Sequence, residues 1–245
     1  MSGLDDVAAG SLQSIYGLYA PVFRTLVTTS SPEAAEMTKL YEDCQRVMAV
    51  SFANEMADAC ARLGINPYEV SEAAATKPFG YLPVHPGVGI GGRSMPVNPY
   101  YLFSNSSLPL LEAATKAAEA RPAEIGNRLM ENLLRRKPDL SSTRLARVLV
   151  VGLAFKPGAS LTTNSPGLTL MYHLQSYWSV PCQWYDPLVD EERVQSYGKR
   201  LEDDGWTAES LEHFDLIVVA MKQREVDWSV LKGLVGPEIE AFCSL

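Results

Sequence analysis

The sequence predicts an α/β protein, in which a mainly helical domain with one long helix precedes a small Rossmann-like domain with a parallel sheet. Apolar residues recur every three or four positions from Met37 to Leu63, which is the period of an amphipathic helix. Beyond Ala146, short apolar runs alternate with helical stretches, which is the order of a doubly wound α/β unit. A chain of 245 residues is long enough for two modest domains.

The long helix has clear end signals. Ser31 is a good N-cap, Pro32 fits the first helical turn, and Gly64 is typical of a helix end. A helix of this length extends about 48 Å, which is longer than a small domain needs for its own core. We therefore expect its apolar face, through Val47, Phe52 and Met56, to pack against a twin in a two-fold homodimer.

Weaker patterns complete the predicted elements. Helices are expected over 12–18, 66–76 and 110–136, with an extended segment at 23–29 and a loop rich in Pro and Gly at 77–99. Residues 137–143 form the best candidate linker. After it we expect buried strands at 147–153, 183–186 and 216–220 and helices over 168–177 and 189–201. The predicted domains are thus 31–140 and 145–245, and residues 1–30 are too short for a third.

Composition excludes several classes of function. The net charge of -8 provides no broad cationic surface for nucleic acid. No apolar run is long enough to span a membrane, and the N-terminus lacks the pattern of a secretory signal, so we expect a cytoplasmic protein. The four cysteines and three histidines are scattered, which predicts free thiols and no metal site.

Neither glycine-rich segment predicts a dinucleotide site. Such a site needs a strand, a glycine turn and a helix N-terminus, followed by an acidic residue for the ribose. Residues 87–92 follow His85-Pro86 in a loop with no preceding strand. Residues 151–158 follow a strand, but only Gly152 comes directly after it, and Pro157 fits a different kind of turn. We therefore predict that this chain alone binds no cofactor and, in particular, no NAD.

A set of motifs in a fixed order resembles the UDP-glucose/GDP-mannose (nucleotide-sugar) dehydrogenase family. They are residues 31–43, Asn54-Glu55, 63–65, the loop 86–102, the turn 151–158, Ser165-Pro166 and 185–187. Members of that family have an NAD-binding domain, a central dimerisation domain and a C-terminal nucleotide-binding-like domain. The resemblance begins where the NAD-binding domain would end, so it implies a truncated homologue in which residues 1–30 are a remnant of that domain. It also implies one more terminal strand than the chain provides.

The same resemblance implies four catalytic positions, which are Lys39, Asp43, Ser94 and Asn98. Lys39 matches the family lysine, but the family has cysteine at Ser94, asparagine at Asp43 and an acid at Asn98. An alcohol needs a strong neighbouring base to act as a nucleophile, whereas a thiol does not. The chain is therefore not expected to carry out NAD-dependent oxidation.

Substrate contacts are expected around these positions, from Arg93, Gly91, Gly92, Asn54 and Lys156. Arg93 would orient an anionic or carbonyl oxygen, or else is a solvent-facing loop residue. The charged motif that the family has after the turn 151–158, including an arginine, is replaced here by the uncharged residues 159–164.

Three functional hypotheses remain open. The first is a cofactor-independent isomerase, lyase or cyclase for a small metabolite, in which Asp43 or Lys39 moves a proton. The second is a non-catalytic dimer that binds a metabolite or a full-length homologue, with Lys39 and Asp43 as a plain ion pair one helical turn apart. The third is an oxidoreductase whose NAD is supplied by another chain.

Overall fold

The computed structural model describes residues 6–141 and 144–244, so residues 1–5 of the expected remnant and 142–143 of the expected linker lie outside it. The first half of the chain is helical. Its helices are α1 (Asp6–Tyr19), α2 (Pro32–Arg62), α3 (Pro67–Ala75), α4 (Asn98–Phe103) and α5 (Pro109–Arg136). None of the helices in the described part is long and apolar enough to cross a membrane.

Helix α2 is the predicted long helix, and its ends follow from local chemistry. The Ser31 side chain accepts a hydrogen bond from the Ala34 amide at 3.2 Å, and Pro32 occupies the first turn. Gly64 follows the last turn with a φ of 70°, a conformation that glycine adopts without strain. One face of α2 packs on α5, α4 and α3. Val47 does not belong to the expected dimer face, because it is only 1% exposed and packs with Cys44 and Leu111.

The second half contains a five-stranded, fully parallel sheet in the order β3-β2-β1-β4-β5. The strands are β1 (Val148–Val151), β2 (Cys182–Tyr185), β3 (Lys199–Arg200), β4 (Leu216–Val219) and β5 (Glu238–Ala241). In the centre of the sheet, Val150 is aligned with Trp184 on one side and with Val218 on the other. All residues of β1 and β4 are buried, as expected for inner strands of a parallel sheet. The Rossmann-like prediction is confirmed.

One hydrophobic cluster is shared by the two halves. Helix α6 (Pro166–Ser176) covers one face of the sheet and packs against α5 of the helical half. Ile125 and Leu129 of α5 belong to the same buried cluster as Leu170 and Leu174 of α6. The opposite face of the sheet is covered by Trp206, by the short helix α7 (Ala208–Leu211) and by turns. The helical half is therefore anchored to the sheet through the α5–α6 contact.

Several predicted elements were wrong or missing. Residues 189–201 form two single 3₁₀ turns and β3 instead of a helix, because Gly198 adopts a φ of 137° and lies against the Cys182 carbonyl. Strands β3 and β5 were not predicted, since they are short edge strands without an apolar run. Helix α4 begins at the end of the predicted loop 77–99 and continues beyond it. The segment 23–29, expected to be extended, contains neither helix nor strand in the described structure. The candidate linker contains the 3₁₀ turn Pro138–Ser141.

A histidine at the α5–α6 contact makes stability depend on pH. The Asn127 Oδ1 atom accepts hydrogen bonds from Trp178 Nε1 at 2.9 Å and from His173 Nε2 at 2.7 Å. Burial lowers the pKa of His173, so the folded protein favours the neutral ring. Stability from this residue is therefore complete above the usual histidine pKa of about 6.5 and is lost as the pH falls below it. We expect His173→Gln to flatten the decrease in unfolding free energy between neutral and mildly acidic pH, measured by urea titration. An unchanged pH profile would contradict this.

Candidate functional site

Three of the four expected catalytic residues meet where α2 and α4 touch. Lys39 and Asp43 lie one turn apart near the start of α2, and Lys39 Nζ is 2.8 Å from Asp43 Oδ1. Asn98, the first residue of α4, donates a hydrogen bond from Nδ2 to Asp43 Oδ2. The Asp43 side chain has no exposed surface. The structure thus places one buried carboxylate between the two helices.

Arg46 is a further member of this cluster that the sequence interpretation missed. Its Nη2 atom donates to Asp43 Oδ1, and its Nε atom is 2.8 Å from Glu42 Oε1. Glu42 also contacts Lys39 Nζ at 2.9 Å. The spacing of three from Asp43 to Arg46 was the available signal, because residues three or four apart share a helix face. Two cations and two carboxylates are thus interlinked in the N-terminal half of α2.

The electrostatics favour fixed charges at this point. Burial alone would raise the pKa of Asp43, but hydrogen bonds from Lys39 and Arg46 outweigh burial and lower the pKa. Hydrogen bonds to Asp43 and then to Glu42 raise the pKa of Lys39. At neutral pH the carboxylate is therefore ionised and the ammonium protonated. A carboxylate with a lowered pKa is a weak base, and a lysine with a raised pKa gives up its proton reluctantly.

Ser94 is not connected to this buried charge. Ser94 is an exposed residue. Its backbone carbonyl accepts hydrogen bonds from the Val97 amide at 3.0 Å and the Asn98 amide at 2.8 Å. No hydrogen bond joins its hydroxyl to Lys39 or Asp43 in the described part of the chain. Arg93 beside it is also exposed. The expected group of four is therefore a group of three, with Ser94 at its margin.

Gly91 and Gly92 are packed against the C-terminal half. A Cβ atom on Gly92 would lie 3.0 Å from the Phe155 ring, and the residue adopts a φ of 97°. The Gly92 amide donates to Thr163 O at 3.0 Å, and Asn164 Nδ2 donates to Gly92 O at 2.9 Å. The expected substrate-binding glycines are thus held by the segment that replaces the charged family motif.

Asn54 holds the other end of the glycine-rich loop. Its Oδ1 atom accepts a hydrogen bond from the Gly87 amide at 2.9 Å, while Arg121 Nε donates to Gly87 O at 2.8 Å. Arg121 in turn contacts Asp58 on α2 at 2.5 Å. The amide of Gly87 is therefore hydrogen-bonded to α2 and its carbonyl to α5. Neither Arg121 nor Asp58 was predicted, since the partners are far apart in sequence.

Lys156 is separate from the α2 cluster. It lies in the turn after β1, is exposed, and its Nζ atom is 5.4 Å from the centre of the Phe155 ring. The next strand's turn contains a buried aspartate, Asp186, whose Oδ2 atom accepts hydrogen bonds from the Leu153 and Ala154 amides. These contacts fix the turn in which Lys156 lies. Lys156 itself is presented to solvent.

Metal ligands do not cluster in the described structure. Within residues 6–141 and 144–244, no three side chains of His, Cys, Asp or Glu are grouped so as to hold a metal ion. The four cysteines are free thiols, and burial raises the pKa of Cys182 to about 12.

Two family models match the chain. Residues 33–119 match the central domain of the UDP-glucose/GDP-mannose dehydrogenase family, and residues 149–239 match its UDP binding domain. A UDP-N-acetyl-D-mannosamine dehydrogenase from Pyrococcus horikoshii is 34% identical over 195 residues, which are 77% of this chain and 44% of the relative. A UDP-N-acetyl-D-glucosamine 6-dehydrogenase from Pseudomonas aeruginosa is 28% identical over 81% of this chain and 48% of its own length.

Solved structures agree with these sequence matches. The structure of the Pyrococcus horikoshii UDP-D-ManNAc dehydrogenase superposes with a TM-score of 0.78 at 27% identity, over 97% of this chain and 57% of that one. A UDP-glucose dehydrogenase from Pyrobaculum islandicum shares the fold, with a TM-score of 0.75 at 24% identity. The chain spans about half the length of the curated relatives it matches. With both domain models matched in order and the fold shared, the chain belongs to the UDP-glucose/GDP-mannose dehydrogenase family.

Proposed function

We propose that this chain is a non-catalytic, dimeric member of its family, in which the buried cluster of α2 stabilises the fold. The observation that carries the proposal is the state of Asp43. Its carboxylate has no exposed surface, and Lys39, Arg46 and Asn98 donate to its two oxygens. A carboxylate accepts about four hydrogen bonds, so little capacity is left for a substrate.

The proposal departs from the acid–base enzyme that the sequence suggested. General base catalysis needs a group within hydrogen-bond reach of the substrate and with a pKa near the working pH. Asp43 is sealed from solvent and its pKa is lowered, while the pKa of Lys39 is raised. The serine at position 94, where the family resemblance implies cysteine, is exposed and unconnected to them. These features suit a clamp between α2 and α4 better than a proton relay.

Support for a dimer comes from apolar surface beside α2, which we call the α2–α3 face. It comprises Phe52, Met56, Val70 and Leu82, which are 63%, 44%, 43% and 52% exposed. These residues border an almost wholly apolar groove of about 380 Å³. Contiguous apolar surface of this kind marks interaction sites in soluble proteins. A second copy, related by a two-fold axis, is the partner that we propose.

Sedimentation tests the dimer. We expect the wild-type chain to sediment at twice its mass of 26.9 kDa at micromolar concentration. Phe52→Asp should shift it to the monomer mass, because it places a charge within the apolar face. Tyr172→Asp is the matched control, since Tyr172 is equally exposed at 60% but lies on α6. A wild-type monomer, or an equal effect of the two substitutions, would reject the proposal.

An NADH assay tests the lack of oxidation. With NAD and UDP-N-acetylmannosamine or UDP-N-acetylglucosamine, the sugars named for its relatives, we expect no NADH from the purified chain. Reduction of NAD by the chain alone would overturn the proposal. Reduction only after a second polypeptide is added would favour instead the oxidoreductase whose NAD site is supplied by another chain.

A further inference from the structure

Helix α1 has an apolar stripe that remains exposed to solvent. Its members are spaced by three and four residues, so they lie on one side of the helix. We call them the α1 stripe, and they are Leu12, Ile15, Tyr16 and Tyr19. The last three are 43%, 40% and 46% exposed. On the opposite side of the helix, a Cβ atom on Gly10 or Gly17 would meet nothing within 4 Å, so α1 is open on both sides.

The groove at the α2–α3 face, which we call the α2–α3 groove, has a matching form. It is lined by the exposed Phe52 and Met56 of α2 and Val70 of α3, and by the buried Ala57 and Cys60. A hydrophobic groove of this kind binds the apolar side of another helix through side chains at positions i, i+3, i+4 and i+7. The α1 stripe has this spacing.

Neither surface carries a charge. The residues that line the α2–α3 groove in the described structure are all uncharged, and so are residues 10–23, which contain the α1 stripe. The helix can therefore enter the groove without removing a charge from water. A membrane surface is a poorer match, because helices that lie on membranes are rich in Lys and Arg on their polar side.

A second copy can bring its α1 to this groove. Along α2, Pro32 is about 30 Å from Phe52. A two-fold axis beside Phe52 places the start of α2 in the second copy at about the same distance from the groove. Residues 20–31, which connect α1 to α2, extend up to about 40 Å. The connector is therefore long enough for α1 of one copy to reach the groove of the other.

We propose that each copy in the dimer places its α1 in the α2–α3 groove of the other, so that the two helices are exchanged across the two-fold axis. Within the single chain no described residue of α1 lines the groove, although the connector is equally long. Exchange removes two exposed apolar surfaces from water at once. This inference rests on the dimer proposed above, and it identifies the segment that covers the apolar face.

Substitutions on the two sides of α1 test the exchange by sedimentation. Ile15→Asp places a charge in the α1 stripe and should raise the dissociation constant of the dimer at least tenfold. Ser14→Asp is the matched control, because it places the same charge on the opposite, exposed side, and should change the constant less than twofold. If Phe52→Asp abolishes the wild-type dimer but Ile15→Asp leaves it unchanged, the exchange alone is overturned. A wild-type monomer would overturn the exchange together with the dimer.

Cross-linking distinguishes exchange from folding back within one chain. The double variant Tyr16→Cys/Val70→Cys places one thiol in the α1 stripe and one beside the α2–α3 groove. With a short bismaleimide we expect covalent dimers on a denaturing gel, because the linked thiols belong to different copies. Ser14→Cys/Val70→Cys should stay at the background of the wild-type chain, whose four cysteines are kept in both variants. Links within one chain, identified by peptide mass, or equal dimer yields from the two double variants would overturn the proposal.

Discussion

Replacing Asp43 by alanine is expected to lower the free energy of unfolding by about 3 kcal/mol, since hydrogen bonds to charged groups contribute about 1.5–3 kcal/mol each and several are lost together. Asp43 is fully buried and joins Lys39 and Arg46 of α2 to Asn98 of α4. Its removal leaves the Asn98 amide without its acceptor and two cations without their shared anion. Urea denaturation followed by circular dichroism measures the change.

Two controls separate a clamp from a catalytic base. Lys39→Met removes one exposed donor and should destabilise much less than Asp43→Ala, because Lys39 is 58% exposed and Glu42 and Arg46 remain paired. Ser94→Ala should leave stability unchanged, since Ser94 is exposed, its hydroxyl makes no hydrogen bond to the cluster, and its backbone contact with Asn98 is kept. If Asp43→Ala unfolds within about 0.5 kcal/mol of the wild type, the range of ordinary surface substitutions, the clamp is rejected.

The pH dependence has a defined sign. Because the pKa of Asp43 is lowered in the folded state, its stabilisation is complete above the unfolded aspartate pKa of about 3.9. It is lost as the pH falls below that value toward the folded pKa. Asp43→Asn should therefore be less sensitive to acid than the wild type over this range, although it is less stable at neutral pH.

Periodic patterns in the sequence predicted the elements that are long or buried. The recurrence of apolar residues predicted α2 and α5, and the runs Val148–Val151 and Leu216–Val219 predicted the centre of the sheet. These elements are buried on one or both faces, so apolar residues recur at regular positions or form a continuous run in the sequence. Lys39 and Asp43 were also paired correctly, because a spacing of four fixes their side chains on one helix face.

Contacts between segments that are distant in sequence produce no comparable sequence pattern. Gly87 is held by Asn54 and Arg121, and Gly92 by Asn164, yet no local pattern connects these positions. Each hydrogen bond depends on how α2, α5 and the turn before α6 come together. The same reason explains why Ser94 was expected inside the cluster: resemblance gave its place in the loop, while its exposure depends on the path of that loop.

Gly152→Ala is expected to destabilise the fold by about 2–5 kcal/mol, from about 1–2 kcal/mol for a left-handed backbone and about 1–3 kcal/mol for overpacking. Gly152 follows β1 with a φ of 83°, and its amide donates to Tyr185 O at 2.9 Å. A Cβ atom there would lie 2.1 Å from the Met221 carbonyl oxygen and 3.0 Å from the Met221 nitrogen. Both obstacles are backbone atoms that follow β4, so they cannot move aside without shifting a central strand.

Gly233→Ala separates the two causes of that loss. Gly233 has a similar φ of 96°, but a Cβ atom there would meet nothing within 4 Å. Its substitution should therefore cost only the backbone part, about 1–2 kcal/mol. Urea denaturation of both variants gives the difference, which is the steric part at the end of β1. Equal destabilisation would mean that the turns after β1 and β4 can move apart. The close backbone approach at Gly152 would then not fix this edge of the sheet, which is the edge at which parallel α/β domains bind their ligands.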